Sequence, residues 1–190
     1  MLQALGILSA LVALSGSIPY IRDILRHKTK PHRITWLIFS ILAAISFFSQ
    51  AAKGASHSLW LPGVLTFDLF ILFLFSLKYG VGGFTKSDKI ALLIAAVGLA
   101  AWYFTNEAAL ALYAVVIVNV TGAYLTIEKA YKHPSSETLS SWILSTIAGF
   151  LAMLSVGSFN FILLLYPFTI FLMDGLVIAA TLLGRNAKNR

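Results

Sequence analysis

Apolar residues run along this chain in long unbroken blocks, and charged residues are nearly absent from 3–21, 34–52, 59–77, 90–106, 108–127, 138–159 and 160–184. Each block is close to the roughly 20 residues an α-helix needs to cross the hydrocarbon of a bilayer. The pattern predicts seven helices at 3–22, 34–52, 59–78, 89–105, 108–128, 138–157 and 160–183. The period-two alternation of an outer-membrane barrel is missing. Within lipid the backbone must satisfy its own hydrogen bonds, which leaves a helical bundle. The expected class is an all-α integral membrane protein with seven transmembrane helices. Residues 1–21 lack a basic leading segment and a clear small-residue cleavage site, so the first helix is expected to be retained.

Composition agrees with the pattern. Of 190 residues 59% are hydrophobic and 11% charged, against about 25% charged in an average soluble domain. The absence of cysteine excludes disulfides, thiolate metal sites and a catalytic thiol.

The charges fix an expected topology. The stretch "IPYIRDILRHKTKPHRITWLIF" carries Arg22, Arg26, Lys28, Lys30 and Arg33 between the first two helices. Lys78, Lys86 and Lys89 lie between the third and fourth, Lys129 and Lys132 between the fifth and sixth, and Arg185, Lys188 and Arg190 in the tail. With only Lys53 elsewhere, thirteen of the fourteen basic residues gather on one side. The positive-inside rule makes that side cytoplasmic, with the N-terminus outside and the C-terminus inside, in a plasma or bacterial inner membrane. The net charge of +7 then needs no nucleic-acid partner, and anionic lipid headgroups become the expected neighbours of the basic face. His27 and His133 read as surface residues in those loops. Trp36, Trp60, Trp102 and Trp142 fall near helix ends, as in an interfacial aromatic belt.

A shift of 106 residues lays "GSIPYIRDILRHKTKPHRITWLIFSI" (16–41) over "GAYLTIEKAYKHPSSETLSSWILSTI" (122–147) without gaps. Gly16 meets Gly122, His27 meets His133, Thr35 meets Ser141 and Trp36 meets Trp142. The third and seventh helices extend the match. Pro62 stands six residues before Asp68, Pro167 seven before Asp174, and the two aspartates are 106 apart. The expected organisation is a three-helix unit at 1–79, a loop and linker helix at 80–107, and a second three-helix unit with a short tail at 108–190. An odd number of spans between the units makes them parallel repeats.

This 3+1+3 layout, with Pro19-Tyr20-Ile21 ahead of the basic loop and "RITWLIF", resembles the PQ-loop superfamily, which includes the SWEET sugar transporters. The family's Pro-Gln pair stands here as Pro19-Tyr20 and as Leu125-Thr126. The resemblance implies two triple-helix bundles around a central pathway, alternating access and small polar substrates. It also implies that Asn119, Trp36 and Trp142 take part in binding a hydroxylated solute.

Asp68 and Asp174 are the notable intramembrane polar residues. An ionised carboxylate near the midplane costs about 2.5–3.5 kcal/mol even on the mildest scale, and no intramembrane Lys or Arg is present to pair with either. Each is expected to be protonated, to face water, or to be held by hydrogen bonds from groups such as Asn119, Thr66 or Thr121. The recurrence at one depth favours a substrate- or proton-binding pair over helix-packing acids. Pro19, Pro62 and Pro167 are candidate hinges, since each removes a backbone donor. Neither a nucleophile constellation nor metal-ligand spacing argues for an enzyme, and no cofactor is implied. The expected activity is transport of a small polar solute, with a sugar and proton coupling both open. The alternatives are a receptor or scaffold on the same fold and a vitamin or amino-acid transporter, and a homo-oligomer is compatible with any of them.

Overall fold

The computed structural model describes residues 1–27 and 31–188. Among them are seven α-helices: α1 (Leu2–Leu25), α2 (Arg33–Ala52), α3 (Trp60–Tyr79), α4 (Lys86–Thr105), α5 (Ala108–Lys132), α6 (Leu139–Ser155) and α7 (Phe161–Lys188). Short 3₁₀ turns at His57–Leu59 and Pro134–Ser136 precede α3 and α6. Six of the helices are long and apolar enough to cross a membrane, whereas α6, with 17 residues, is apolar but shorter. Large apolar side chains such as Phe67, Leu93 and Phe104 are exposed around the bundle, as a lipid-facing surface requires.

Helix ends depart from the hydropathy blocks for local reasons. At the basic ends α1, α5 and α7 run on past the apolar block through charged residues, because Lys, Arg and Glu are good helix formers. α6 stops at Ser155, two residues early, where Gly157 takes a left-handed backbone with φ of 74°. Thr85 and Asp88 form a reciprocal capping box at the start of α4, and Asn106 ends that helix at φ 56°. Glu107 then caps α5 by accepting from the Ala109 N–H at 3.1 Å, so only two residues join the two helices.

Close contacts give each helix its direction. A Cβ added to Gly6 would meet the His57 carbonyl, and Ser17 reaches Asp68, so α1 and α3 run parallel. Leu2 touches Gly157 while Gly16 faces Ser141 and Leu144, so α6 runs opposite to α1. Arg33 Nε donates to the Ser76 carbonyl at 3.2 Å, setting α2 against α3 head to tail. Lys53 at the end of α2 pairs with Glu107 at the start of α5. Gly184 abuts Tyr131, so α5 and α7 run together toward the same end. Odd-numbered helices thus finish where even-numbered ones begin.

That end gathers Arg22, Arg26, Arg33, Lys78, Lys86, Lys89, Lys129, Lys132 and Arg185, whereas Lys53 sits at the far end. Lys28, Lys30, Arg190 and the side chains of Lys188 and Leu125 lie outside the described residues. In cross-section α3 lies against both α1 and α2, α7 against both α5 and α6, and α1–α6 and α2–α5 form two further seams, with α4 on α5. The main core lies between α2, α4, α5 and α7, where Ile38, Leu42 and Ile45 pack with Leu112, Val115, Val118 and Tyr166.

The Lys53–Glu107 pair carries a pH dependence. The hydrogen bond from Lys53, then that from the Ala109 N–H, holds the Glu107 carboxyl below the usual carboxylate range. A group whose folded value is depressed adds stability above its unfolded pKa and loses it as pH falls through the folded one. The melting temperature of the purified protein is therefore expected to drop between pH 6 and pH 3, and Lys53→Met is expected to shrink that drop. An identical drop in the variant would show that the pair contributes nothing to it.

Candidate functional site

Asp68 is the ninth of the twenty residues of α3, and Asp174 stands at the middle of the 28-residue α7. Asp68 is buried, with 5% of its surface exposed, and Asp174 is partly buried. Each carboxylate is held by a serine from a different helix. The Ser17 hydroxyl on α1 donates to Asp68 Oδ2, and the Ser145 hydroxyl on α6 donates to Asp174 Oδ2. Each bond reaches across to another helix, so both carboxyl groups are given a fixed direction.

The two serines lie next to each other's helices because α1 and α6 approach closely. Gly16 has no side chain, and a Cβ placed there would stand 3.5 Å from Leu144 Cβ. The Ser141 hydroxyl donates to the Gly16 carbonyl at 3.0 Å. Below this level the seam is lined with small side chains, Ala13 packing with Ala148 and Ala152. Ser17 and Ser145 each follow a member of the touching Gly16–Leu144 pair, so the two acid–hydroxyl pairs flank one helix seam. Gly149 sets α6 against α7 in the same way, since a Cβ there would lie 2.7 Å from Phe171 N and 3.1 Å from the Pro167 carbonyl.

The donors expected for the acids are corrected by this geometry. Thr66, Thr121 and Asn119 bond to carbonyls of their own helices, those of Pro62, Ile117 and Val115. These are satisfied within one turn, as hydroxyl and amide side chains in helices often are. Ser17 and Ser145 do not correspond under the 106-residue shift, which lays Ser17 on Ala123 and Ser145 on Phe39. Repeat logic therefore pointed to the acids and passed over their partners.

Trp36 and Trp142 sit at the basic end. Trp36 packs on Tyr20 with ring centroids 5.1 Å apart and edge-on to Phe39. Trp142 Nε1 donates to Glu137 at 2.9 Å, and Glu137 also pairs with Lys129 at 2.9 Å. The indole of Trp142 packs beside the Ala130–Val177–Ala180 cluster. The Trp142 N–H thus ties the α5–α6 connection, while its ring fills space between helices. Pro19 and Pro167 lie inside α1 and α7, whereas Pro62 occupies the first turn of α3, where a missing N–H interrupts little of the helical ladder. A further polar group lies toward the far end of α2. Gln50, fully buried, donates to the Ser46 hydroxyl at 2.9 Å, and its Oε1 and Ser49 Oγ find no partner among the described residues.

Chemically, a carboxylate beside a hydroxyl can hold a proton or bind the hydroxyls of a polar solute, as acceptor through the acid and as donor or acceptor through the serine. No three His, Asp or Glu side chains among the described residues gather as metal ligands would. Comparison with protein-family models, with curated proteins and with solved structures returned no match.

Proposed function

We propose that this chain is a SWEET-like transporter of the PQ-loop type, carrying a small polar solute by alternating access. The observation that carries the reading is the pair of acids at matching depth in α3 and α7, each fixed by a hydroxyl from a neighbouring helix. Buried acids that serve only to join helices have no reason to recur 106 residues apart at one depth. In this reading α1–α3 and α5–α7 are the two units and α4 is the linker.

Packing supports the two-unit reading. Exchanging α1, α2, α3 for α5, α6, α7 turns the α1–α3 contact into α5–α7, α2–α3 into α6–α7, and α1–α6 into α5–α2, all of which are made. The register agrees as well. The 106-residue shift carries the touching Leu2 and Gly157 onto Ala108 and Ala51, and Glu107, next to Ala108, forms the far-end ion pair with Lys53, two residues past Ala51. The units rock about a midplane site holding Asp68 and Asp174. The basic end is cytoplasmic, with the N-terminus outside. There an open face of α1, with Ile18, Ile21 and Leu25 edged by Arg22 and Arg26, suits the chain and headgroup of an anionic lipid.

The test is solute flux into proteoliposomes loaded with this protein, across a panel of sugars, amino acids and vitamins. Saturable uptake of one class is expected. Tight binding without flux would replace the transporter by a receptor on the same scaffold. Single cysteines introduced into this cysteine-free chain at Gly83 and Ser135 are expected to react with an impermeant maleimide from one side of the membrane. Those at Gly54 and Ser158 are expected to react from the other, and any other partition would overturn the topology.

A further inference from the structure

The two seams between the units differ at their basic ends. In the α1–α6 seam the Ser141 hydroxyl donates to the Gly16 carbonyl, and Gly16 lies against Leu144. The 106-residue shift carries Gly16 onto Gly122 and Ser141 onto Thr35, in the α2–α5 seam at the same end. There the corresponding bond is not made. Thr35 Oγ1 lies 3.1 Å from His32 Nδ1 instead, and the Gly122 carbonyl takes the hydroxyl of Thr126 at 3.0 Å. A Cβ added to Gly122 would meet nothing within 4 Å among the described residues.

This empty position is not simply a lipid-facing one. Gly122 follows Ala111, Val115 and Val118 at helical spacing, and those three are buried in the core that α5 shares with α2. The exposed face of α5 carries Tyr113, Ile117, Val120 and Tyr124, on the other side of the helix. The α2–α5 seam is closed at the far end by Lys53–Glu107 and along its middle by branched apolar side chains. Toward the basic end a Cβ at Gly122 would find no such neighbour.

We infer that Thr35 and Gly122 form a gate at the basic end, shut when the Thr35 hydroxyl leaves His32 and bonds the Gly122 carbonyl as Ser141 bonds Gly16. A small residue at 122 has a purpose in this device, because a bulky side chain such as leucine would keep α2 from closing, whereas a single Cβ has room. The Gly122 carbonyl already accepts both the helical N–H and the hydroxyl of Thr126, so closing hands its second lone pair from the Thr126 hydroxyl to that of Thr35. The inference rests on the two-unit reading, and it assigns the moving contact to one seam while the other stays latched.

Because the chain has no cysteine, the test uses pairs of introduced cysteines and an added copper–phenanthroline oxidant, read as a gel shift in proteoliposomes. The Gly16→Cys/Ser141→Cys pair is expected to cross-link nearly completely. The Thr35→Cys/Gly122→Cys pair is expected to cross-link more slowly but to a large fraction, as the gate closes transiently. Thr35→Cys with Thr121→Cys, which lies off the shared face, is expected to give at least tenfold less. A Thr35/Gly122 pair no more reactive than the Thr35/Thr121 pair, beside a fully linked reference pair, overturns the gate. A Gly122→Leu variant with the wild-type melting temperature but solute flux reduced more than tenfold would support it independently. If the cross-link forms and no solute ever moves, the gate stands and transport falls.

Discussion

Asp68→Asn and Asp174→Asn are each expected to lower uptake by roughly 10- to 100-fold while leaving the protein folded. Asparagine matches aspartate in shape, and its Oδ1 can still accept from Ser17 or Ser145. What disappears is the charge and the titratable proton. A hydrogen bond to a charged group contributes about 1.5–3 kcal/mol, which sets that range when it is lost from the rate-limiting complex. The pH dependence of uptake between about pH 5 and 8 is expected to flatten in both variants if the acids carry the coupling proton. Wild-type rates from both variants over that range would remove the acids from the mechanism. Ser17→Ala and Ser145→Ala separate direction from charge. Each leaves its carboxylate in place but unguided, so a smaller loss is expected, and none beyond that of the Asn variant when the two changes are combined on the same pair.

The second large effect is structural. Gly149→Ala places a methyl group 2.7 Å from Phe171 N and 3.1 Å from the Pro167 carbonyl, both backbone atoms of α7. Backbone cannot swing aside as a side chain can, so α6 must move off α7. Overpacking of this kind typically costs about 1–3 kcal/mol, expected as a clear fall in melting temperature in detergent. Ser145 lies one turn from Gly149 on the same helix, so the displacement also draws the serine from Asp174. A variant that melts like the wild type would mean that the two helices are less closely packed than described. Gly16→Ala, on the opposite side of α6 in the α1–α6 seam, meets only ordinary contacts at 3.5 Å and beyond. It is expected to be mild and provides the control.

Much of the fold was legible because lipid demands unbroken apolar length, and that demand is written into each block of the chain. The seven helices and the end at which the lysines and arginines gather followed from it directly. The two acids were also legible, since a carboxylate inside an apolar block stands out at once. Their partners were not. Serine is common in membrane helices and usually bonds to its own backbone, as Ser9, Ser40 and Ser155 do here. Only the packing of α1 against α6 and of α3 and α7 beside them distinguishes Ser17 and Ser145 from the rest. The same limit explains Asn119, Thr66 and Thr121, whose chemistry invited a role that a carbonyl four residues earlier had already taken. The early stop of α6 was hidden because Val156 is as apolar as what precedes it, and the left-handed glycine one residue later decides the boundary.

The shortness of α6 has a mechanical consequence. Seventeen residues rise about 25 Å, whereas the 28 residues of α7 beside it rise about 42 Å. A bilayer core of about 30 Å cannot match both at once. At one end of α6 the membrane must dimple inward, or backbone polar groups flanking it, in the Pro134–Ser136 turn before its start or at Gly157 and Ser158 past its end, must sit at the depth of the first methylenes. The helix least able to match a thick bilayer is thus the one that carries Ser145.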